Sequence, residues 1–285
     1  MPPEMVAFLI SWAWEPAIVG GLAAAGVLYA FGWRTLGRQT RGKVVLERWR
    51  SWAYAGGLAL VALALLSPVA VFSELLFTMH MLQHVLLMAA APLILLGSPL
   101  LPVLWALPRA LRRAIGGLFV PAGPLHAAFH ALTNPFVAAT LYVSTVALWH
   151  APSFYDAAQG RTLVHDLEHV MFLGTALLYW WPVVHPGGGK RRLGFGLGIL
   201  YLTPALLSQN VIGMVLTFAD RPLYATYQHV PRLWGISVVL DQQLAGAVMG
   251  ITGAAINLVA MTVLLVLFLR SEERRSAVTG SNGGT

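Results

Sequence analysis

The chain has 285 residues, of which 58% are hydrophobic and only 10% charged, with a formal net charge of +7 and a mean hydropathy of +0.71. A soluble domain carries about 25% charged residues, so these values exclude a soluble globular protein, a disordered chain and a repeat solenoid. No cysteine is present. That removes disulfides, thiolate zinc sites, cysteine-ligated iron–sulfur clusters, covalently attached c-type haem and cysteine nucleophiles, and leaves His, Met and carboxylates for any metal.

The length fits about seven membrane spans of roughly 20 residues each. The N-terminal stretch up to Pro16 has no basic region ahead of its apolar residues, which predicts no cleavable signal peptide. In chain order the candidate spans are Trp14–Trp33, Trp52–Phe72, Leu75–Leu96, Pro135–His150, Leu163–Val183, Leu193–Phe218 and Ile236–Leu269. The fourth is short and the last is long. All must be helical, because lipid offers no partner to an unpaired backbone group. Between the third and fourth, Leu101–Leu118 carries Pro102, Pro108 and Arg109, Arg112 and Arg113, a pattern suited to a short interfacial helix. The fold class is thus all-α, a polytopic membrane bundle forming one domain over 1–275. A Gly/Ser/Asn-rich tail over 276–285 is expected to be disordered.

Orientation follows from Lys and Arg. They concentrate in alternate connections, at 34–50, 109–113, 190–192 and 270–275, leaving only Arg161, Arg221 and Arg232 elsewhere. The positive-inside rule then puts the N-terminus outside and the C-terminus in the cytoplasm. The basic balance therefore reflects topology, and no nucleic-acid partner is expected.

On this topology the histidines sort by side. His80, His84, His150, His165, His169 and His229 fall outside or in the outer leaflet, and His126, His130 and His185 on the cytoplasmic side. His80 and His84 are spaced i, i+4, as are His165 and His169, so each pair shares one helix face. Two such helices facing each other would offer four imidazoles to one or two metal ions. Met88 continues the first face one turn deeper, and Glu168 sits beside His169 and one turn from His165. Imidazole suits Zn, Cu, Fe and Ni, and thioether favours Cu(I). A His/Met site without cysteine, facing an oxidising compartment, is more copper-like than zinc-like. His126 and His130 are read instead as part of an amphipathic segment at the cytoplasmic surface. Asp241, Gln242 and Gln243 form either a helix start at the water boundary or a polar wall of the outer site. Gly246 and Gly250 form a small-residue pair for close helix packing, within the bundle or against a partner.

The run from His80 and His84 through Pro92, Gly97 and Pro99 resembles the CtaG family of bacterial cytochrome c oxidase assembly factors. So do Trp149, His150, Pro152 and Tyr155, the set His165, Glu168 and His169 continued by Phe172, Trp180, Trp181 and Pro182, and the segment Asp241, Gln242, Gln243 and Gly246 with Met249. Gly250 stands where the family often has Trp. The resemblance implies a multi-pass plasma-membrane protein that helps make an active haem–copper oxidase, with oxidase subunits or copper-handling proteins as partners. It implies site roles for His80, His84, His150, His165, Glu168, His169 and Asp241.

Residues and resemblance together predict a non-enzymatic assembly factor binding a copper ion through His80, His84, His150, His165, His169, Glu168, Asp241 and Met88. The runner-up is an intramembrane zinc hydrolase with Glu168 or Asp241 as general base. A haem-binding protein with histidines on facing helices is a further alternative.

Overall fold

The structure is a computed structural model that describes residues 3–39, 47–120, 123–186 and 193–282. Among the described residues thirteen α-helices follow one another: α1 Pro3–Ile10, α2 Pro16–Gln39, α3 Arg48–Leu66, α4 Pro68–Phe72, α5 Phe77–Leu96, α6 Leu100–Ala106, α7 Arg109–Leu118, α8 Pro124–Leu132, α9 Pro135–Trp149, α10 Pro152–Gln159, α11 Thr162–Val184, α12 Phe195–Phe218 and α13 Val238–Asn282. Among the described residues there is no strand. Six segments of the described residues are long and apolar enough to cross a membrane, namely α2, α3 with α4, α5, α11, α12 and α13 up to Ser276. Large apolar side chains such as Phe136, Leu163, Leu200 and Ile251 point away from the protein, as they must where lipid is the solvent.

The fourth expected span is where structure and expectation differ. α9 has 15 residues, a rise of only about 22 Å against the roughly 30 Å of a hydrocarbon core. α8 precedes it, bent by 66°, and only the pair taken together brings the spans to seven. The bend has a local cause. Pro135 cannot donate a backbone N–H and disfavours helix at the residue before it, and Asn134 caps the new helix by accepting from the Phe136 N–H at 3.0 Å. The expected interfacial segment is likewise two helices, α6 and α7, divided at Leu107 and Pro108. At the far end α13 stays helical through Asn282, into the segment expected to be a disordered tail. Extending a formed helix fixes one residue per hydrogen bond, which costs far less than starting one. The basic residues Arg41, Lys43, Lys190, Arg191 and Arg192 lie outside the described residues.

α5 is central and packs against α3, α11 and α13. Its face toward α11 and α13 holds Phe77, Met81, Val85, Met88 and Leu95 in one apolar core with Phe172, Tyr179 and Met249, while Leu87 and Ala90 pack against Val61 and Ala64 of α3. α12 and α13 meet through glycines. A Cβ on Gly246 would lie 2.6 Å from the Gly213 carbonyl oxygen, and one on Gly213 would lie 2.8 Å from that of Gly246. The small-residue pair of α13 is therefore spent inside the bundle, where close backbone approach supplies the dispersion contacts that burial alone cannot give in lipid. α5, α11 and α13 all begin at the same end of the bundle, and that end carries the site.

Candidate metal centre

The local sequence places two imidazoles on one face of α5 and two on one face of α11, and the packing of α5 on α11 turns the faces together. Ring centroids are 4.1 Å apart for His80 and His84 and 4.2 Å for His165 and His169. Across the interface, His80 lies 5.5 Å from His165, and His84 lies 5.5 Å from His169. The four rings form a quadrilateral with the Glu168 carboxylate among them. Glu168 Oε1 is 3.6 Å from His84 Nε2, and Oε2 is 4.0 Å from His80 Nε2. Ligand atoms of His80, His165 and Glu168 all lie within 4.8 Å of one another. Donors on a tetrahedron with metal bonds of about 2.1 Å would be about 3.4 Å apart, so closing the set on an ion shortens the donor separations by up to about 1.4 Å.

Burial makes the arrangement costly unless something satisfies it. His80 and Glu168 are 0% exposed and His84 is 1% exposed. Nε2 of His80, His150, His165 and His169, both ring nitrogens of His84 and both oxygens of Glu168 have no hydrogen-bond partner among the described residues. Buried polar atoms in native proteins are almost always paired, and ionisable groups inside a membrane are functional by default. The donors are all imidazole nitrogen or carboxylate oxygen, a set that fits Zn, Cu, Fe or Ni.

Several side chains hold the imidazoles in place. His150 follows the last turn of α9, and its Nδ1 lies 2.7 Å from the Val146 carbonyl. A protonated Nδ1 donates there and leaves Nε2 with a lone pair, the arrangement that commonly orients a metal-binding histidine. On α10, Gln159 and Tyr155 stand one turn apart. The Gln159 amide is 3.1 Å from His80 Nδ1, and the Tyr155 ring packs against His80 at 5.0 Å. The contacting atom is the amide nitrogen, which donates to Nδ1 and so puts the ring proton on Nε2; turning the amide over reverses both and frees Nε2.

Two predicted residues sit elsewhere. Asp241 is spent on the start of α5, where its carboxylate accepts from the backbone N–H groups of Phe77 and Thr78 at 2.8 and 2.9 Å and from the Thr78 hydroxyl at 2.7 Å. It is a helix cap supplied by a remote helix, and it fixes α13 against the turn that leads to His80. Of the two readings its polar neighbourhood allowed, the helix-boundary one describes Asp241 as far as its bonds go, except that the helix it caps is α5. Met88 lies deeper. Its sulfur accepts from the Tyr142 hydroxyl at 3.2 Å, and Gln209 donates to that hydroxyl at 2.6 Å. The structure therefore brings together His80, His84, His165, Glu168 and His169 with His150 beside them, and leaves Asp241 and Met88 in supporting networks.

The sequence reading missed Gln159, Gln83, Tyr224 and Tyr227, and had Tyr155 only among the residues of the resemblance, without a role. Tyr155 and Gln159 carried a signal, since their i, i+4 spacing repeats that of the histidine pairs. Tyr224 and Tyr227, in the loop before α13, carried none. Tyr224 donates to the His150 carbonyl at 2.9 Å, Tyr227 donates to the Ser73 carbonyl at 2.8 Å, and Tyr155 donates to the Tyr227 hydroxyl at 3.0 Å. Asp156 ties the same loop down by accepting from the Thr226 hydroxyl at 2.8 Å. Burial pushes the phenols of Tyr155, Tyr224 and Tyr227 well above the usual tyrosine range, so this layer stays uncharged and serves as a hydrogen-bonded cover.

Fold and site define a polytopic helical membrane protein with a buried cluster of histidines and one glutamate at one end of its bundle. The chain belongs to the cytochrome c oxidase caa3 assembly factor family, CtaG, whose family model matches residues 27–271. It is also 26% identical over 282 residues to an uncharacterised protein of Mycobacterium bovis and, equally, to one of Mycobacterium tuberculosis, covering 93% of this chain and 40% of each relative. An uncharacterised protein of Mycobacterium leprae is 24% identical over 283 residues, covering 96% of this chain and 42% of the relative. The chain thus spans about two fifths of the length of these curated relatives. No solved structure matches it.

Proposed function

We propose that this protein holds a copper ion at the His/Glu cluster, close to the outer face of the plasma membrane, and serves maturation of the metal centres of a haem–copper oxidase. The observation that carries the reading is the convergence of five histidines and Glu168, all but His165 buried and each with a ring or carboxylate atom unpartnered among the described residues, in a chain of the oxidase assembly family. His80, His84, His165 and His169 would be the ligands, with Glu168 bridging between the two pairs and His150 able to complete the set. Copper here is cargo, so the chemistry required is reversible ligand exchange. Gln159 and the Val146 carbonyl hold ring nitrogens in register for it, and Asp241 holds the first turn of α5. The basic connections would lie in the cytoplasm and the site end would face outward, where oxidase subunits or copper-handling proteins could reach it.

The donor set also favours a second reading. Met88 is bonded to Tyr142, so thioether does not tip the set toward Cu(I), and a nitrogen/oxygen site accepts Zn(II) equally well. Metal content of the purified full-length protein after separate copper and zinc exposure decides between them, with a His80→Ala/His84→Ala variant alongside. Copper retained by the wild type and lost in the variant, together with failure of the variant to restore oxidase activity in a strain lacking the protein, is the expected result. Zinc alone would favour a hydrolytic role with Glu168 as base. Full oxidase maturation by the double variant would end the assignment.

A further inference from the structure

The cluster is closed above and open to one side. Above it, the tyrosine layer and the loop before α13 are tied down by the hydrogen bonds already described. Beside it, a vestibule of about 560 Å³ opens between the start of α2, the end of α3 and the first turns of α11. Its mouth carries Glu15, Glu74 and Asp166, and its inner end is lined by Gln83, His165 and His169. The three carboxylates are exposed and come from three separate elements. Glu15 lies in the segment between α1 and α2, which is fastened to the end of α3 by the Ala13 N–H donating to the Leu66 carbonyl at 2.9 Å. Glu74 lies in the turn before α5, and Asp166 lies in the second turn of α11. None of the three forms an ion pair with Lys or Arg among the described residues.

The inner wall makes the vestibule more than an acidic surface. Gln83 is 2% exposed. Its amide N–H donates to the Ala64 carbonyl at 3.0 Å, while its oxygen has no partner among the described residues. His169 is 8% exposed, lines the same space, and has an unpartnered Nε2. Buried acceptors of this kind, beneath a mouth of unpaired carboxylates, are what a dehydrating cation needs. The gradient runs from exposed oxygens through an amide oxygen to imidazoles.

We infer that this vestibule is the loading route of the cluster. A metal cation is drawn in by Glu15, Glu74 and Asp166, meets the Gln83 oxygen and the His165 and His169 rings, and passes inward to His80, His84 and Glu168. The inference rests on the reading of the cluster as a metal site and adds the side from which it fills. A cleft with one sign of charge and low-dielectric walls focuses the field and raises the arrival rate of the opposite charge. Salt screens the effect over a Debye length of about 8–10 Å.

The test follows loading in time. Metal-stripped full-length protein in lipid nanodiscs is mixed with Cu(I), stabilised in acetonitrile under anaerobic conditions, or with Zn(II). It is desalted at intervals and its metal content measured. A Glu15→Gln/Glu74→Gln/Asp166→Asn variant should reach the wild-type final content at an initial rate lower by about tenfold at low salt. Added potassium chloride should slow the wild type and leave this variant unchanged. Val170→Trp, which narrows the vestibule with every charge kept, should also slow loading without lowering the final content. Wild-type rates in both variants would overturn the route and leave the cluster standing. A lower final content in the charge variant would make the carboxylates ligands of the site, which also overturns the route. A wild type that takes up neither metal would overturn the cluster reading and the route with it.

Discussion

Two histidine pairs in this chain are alike locally and opposite in outcome. His126 and His130 on α8 are spaced i, i+4 with ring centroids 4.2 Å apart, and His165 and His169 on α11 have the same spacing and the same 4.2 Å. The α8 pair lies toward the surface, with His130 exposed. The α11 pair faces a second pair and a buried glutamate, with ligand atoms left unpartnered. Helical spacing therefore creates a bidentate face at both places. Only the helix packed opposite decides whether that face becomes part of a centre. α8 ends at the Thr133–Pro135 break, whereas α11 packs against α5.

The largest expected effect sharpens this contrast. His80→Ala/His84→Ala should lose metal down to the background of an unrelated membrane protein, while His126→Ala/His130→Ala keeps the wild-type content, both read by elemental mass spectrometry. Equal loss from the two would break the comparison. Next comes Glu168→Gln, which keeps the shape and removes the charge between the pairs. Metal affinity measured by competition with a chelator should weaken by about 10- to 100-fold, and an unchanged affinity would remove the carboxylate from the set.

Asp241→Ala tests the support rather than the ligands. It removes charge-assisted bonds to Phe77 and Thr78 and leaves those N–H groups buried, at a cost of about 2 kcal/mol. A lower thermal midpoint in detergent should result, with metal stoichiometry retained when the protein is folded. Loss of stoichiometry at full stability would instead make Asp241 a ligand. The smallest effect is expected from Tyr142→Phe, which deletes the link between Gln209 and Met88 below the centre. Hydrogen bonds within membrane bundles contribute about 0.6–2 kcal/mol, so the midpoint should fall slightly with metal affinity unchanged. A large change in affinity would bring Met88 into the site.

Much of the molecule was legible in advance because it rests on local rules. Apolar runs of about 20 residues gave the bundle, since nothing but a helix satisfies its own backbone in lipid. The spacing of His80 with His84, and of His165 with His169, placed two imidazoles on one face of each helix for the same geometric reason. Proline positions are visible too: the fourth expected span starts at Pro135, as α9 does, and only the helix α8 bent against it was not legible.

The remainder was settled by contacts between residues far apart in the chain. Asp241 and Phe77 are 164 positions apart, and no periodicity in either segment says that one caps the other. Gln159 reaching His80, Tyr224 covering His150, and Gly246 lying against Gly213 are of the same kind. The sequence by itself determined the class of protein, the elements that cross the bilayer and the residue types able to hold a metal. Each follows from transfer free energies and helical geometry along a single segment. Tertiary structure alone decided which faces meet, which carboxylate joins them and which side stays open. Those depend on how helices of similar polarity pack, and in lipid that choice is made by small residues and buried polar contacts rather than by hydrophobic pattern.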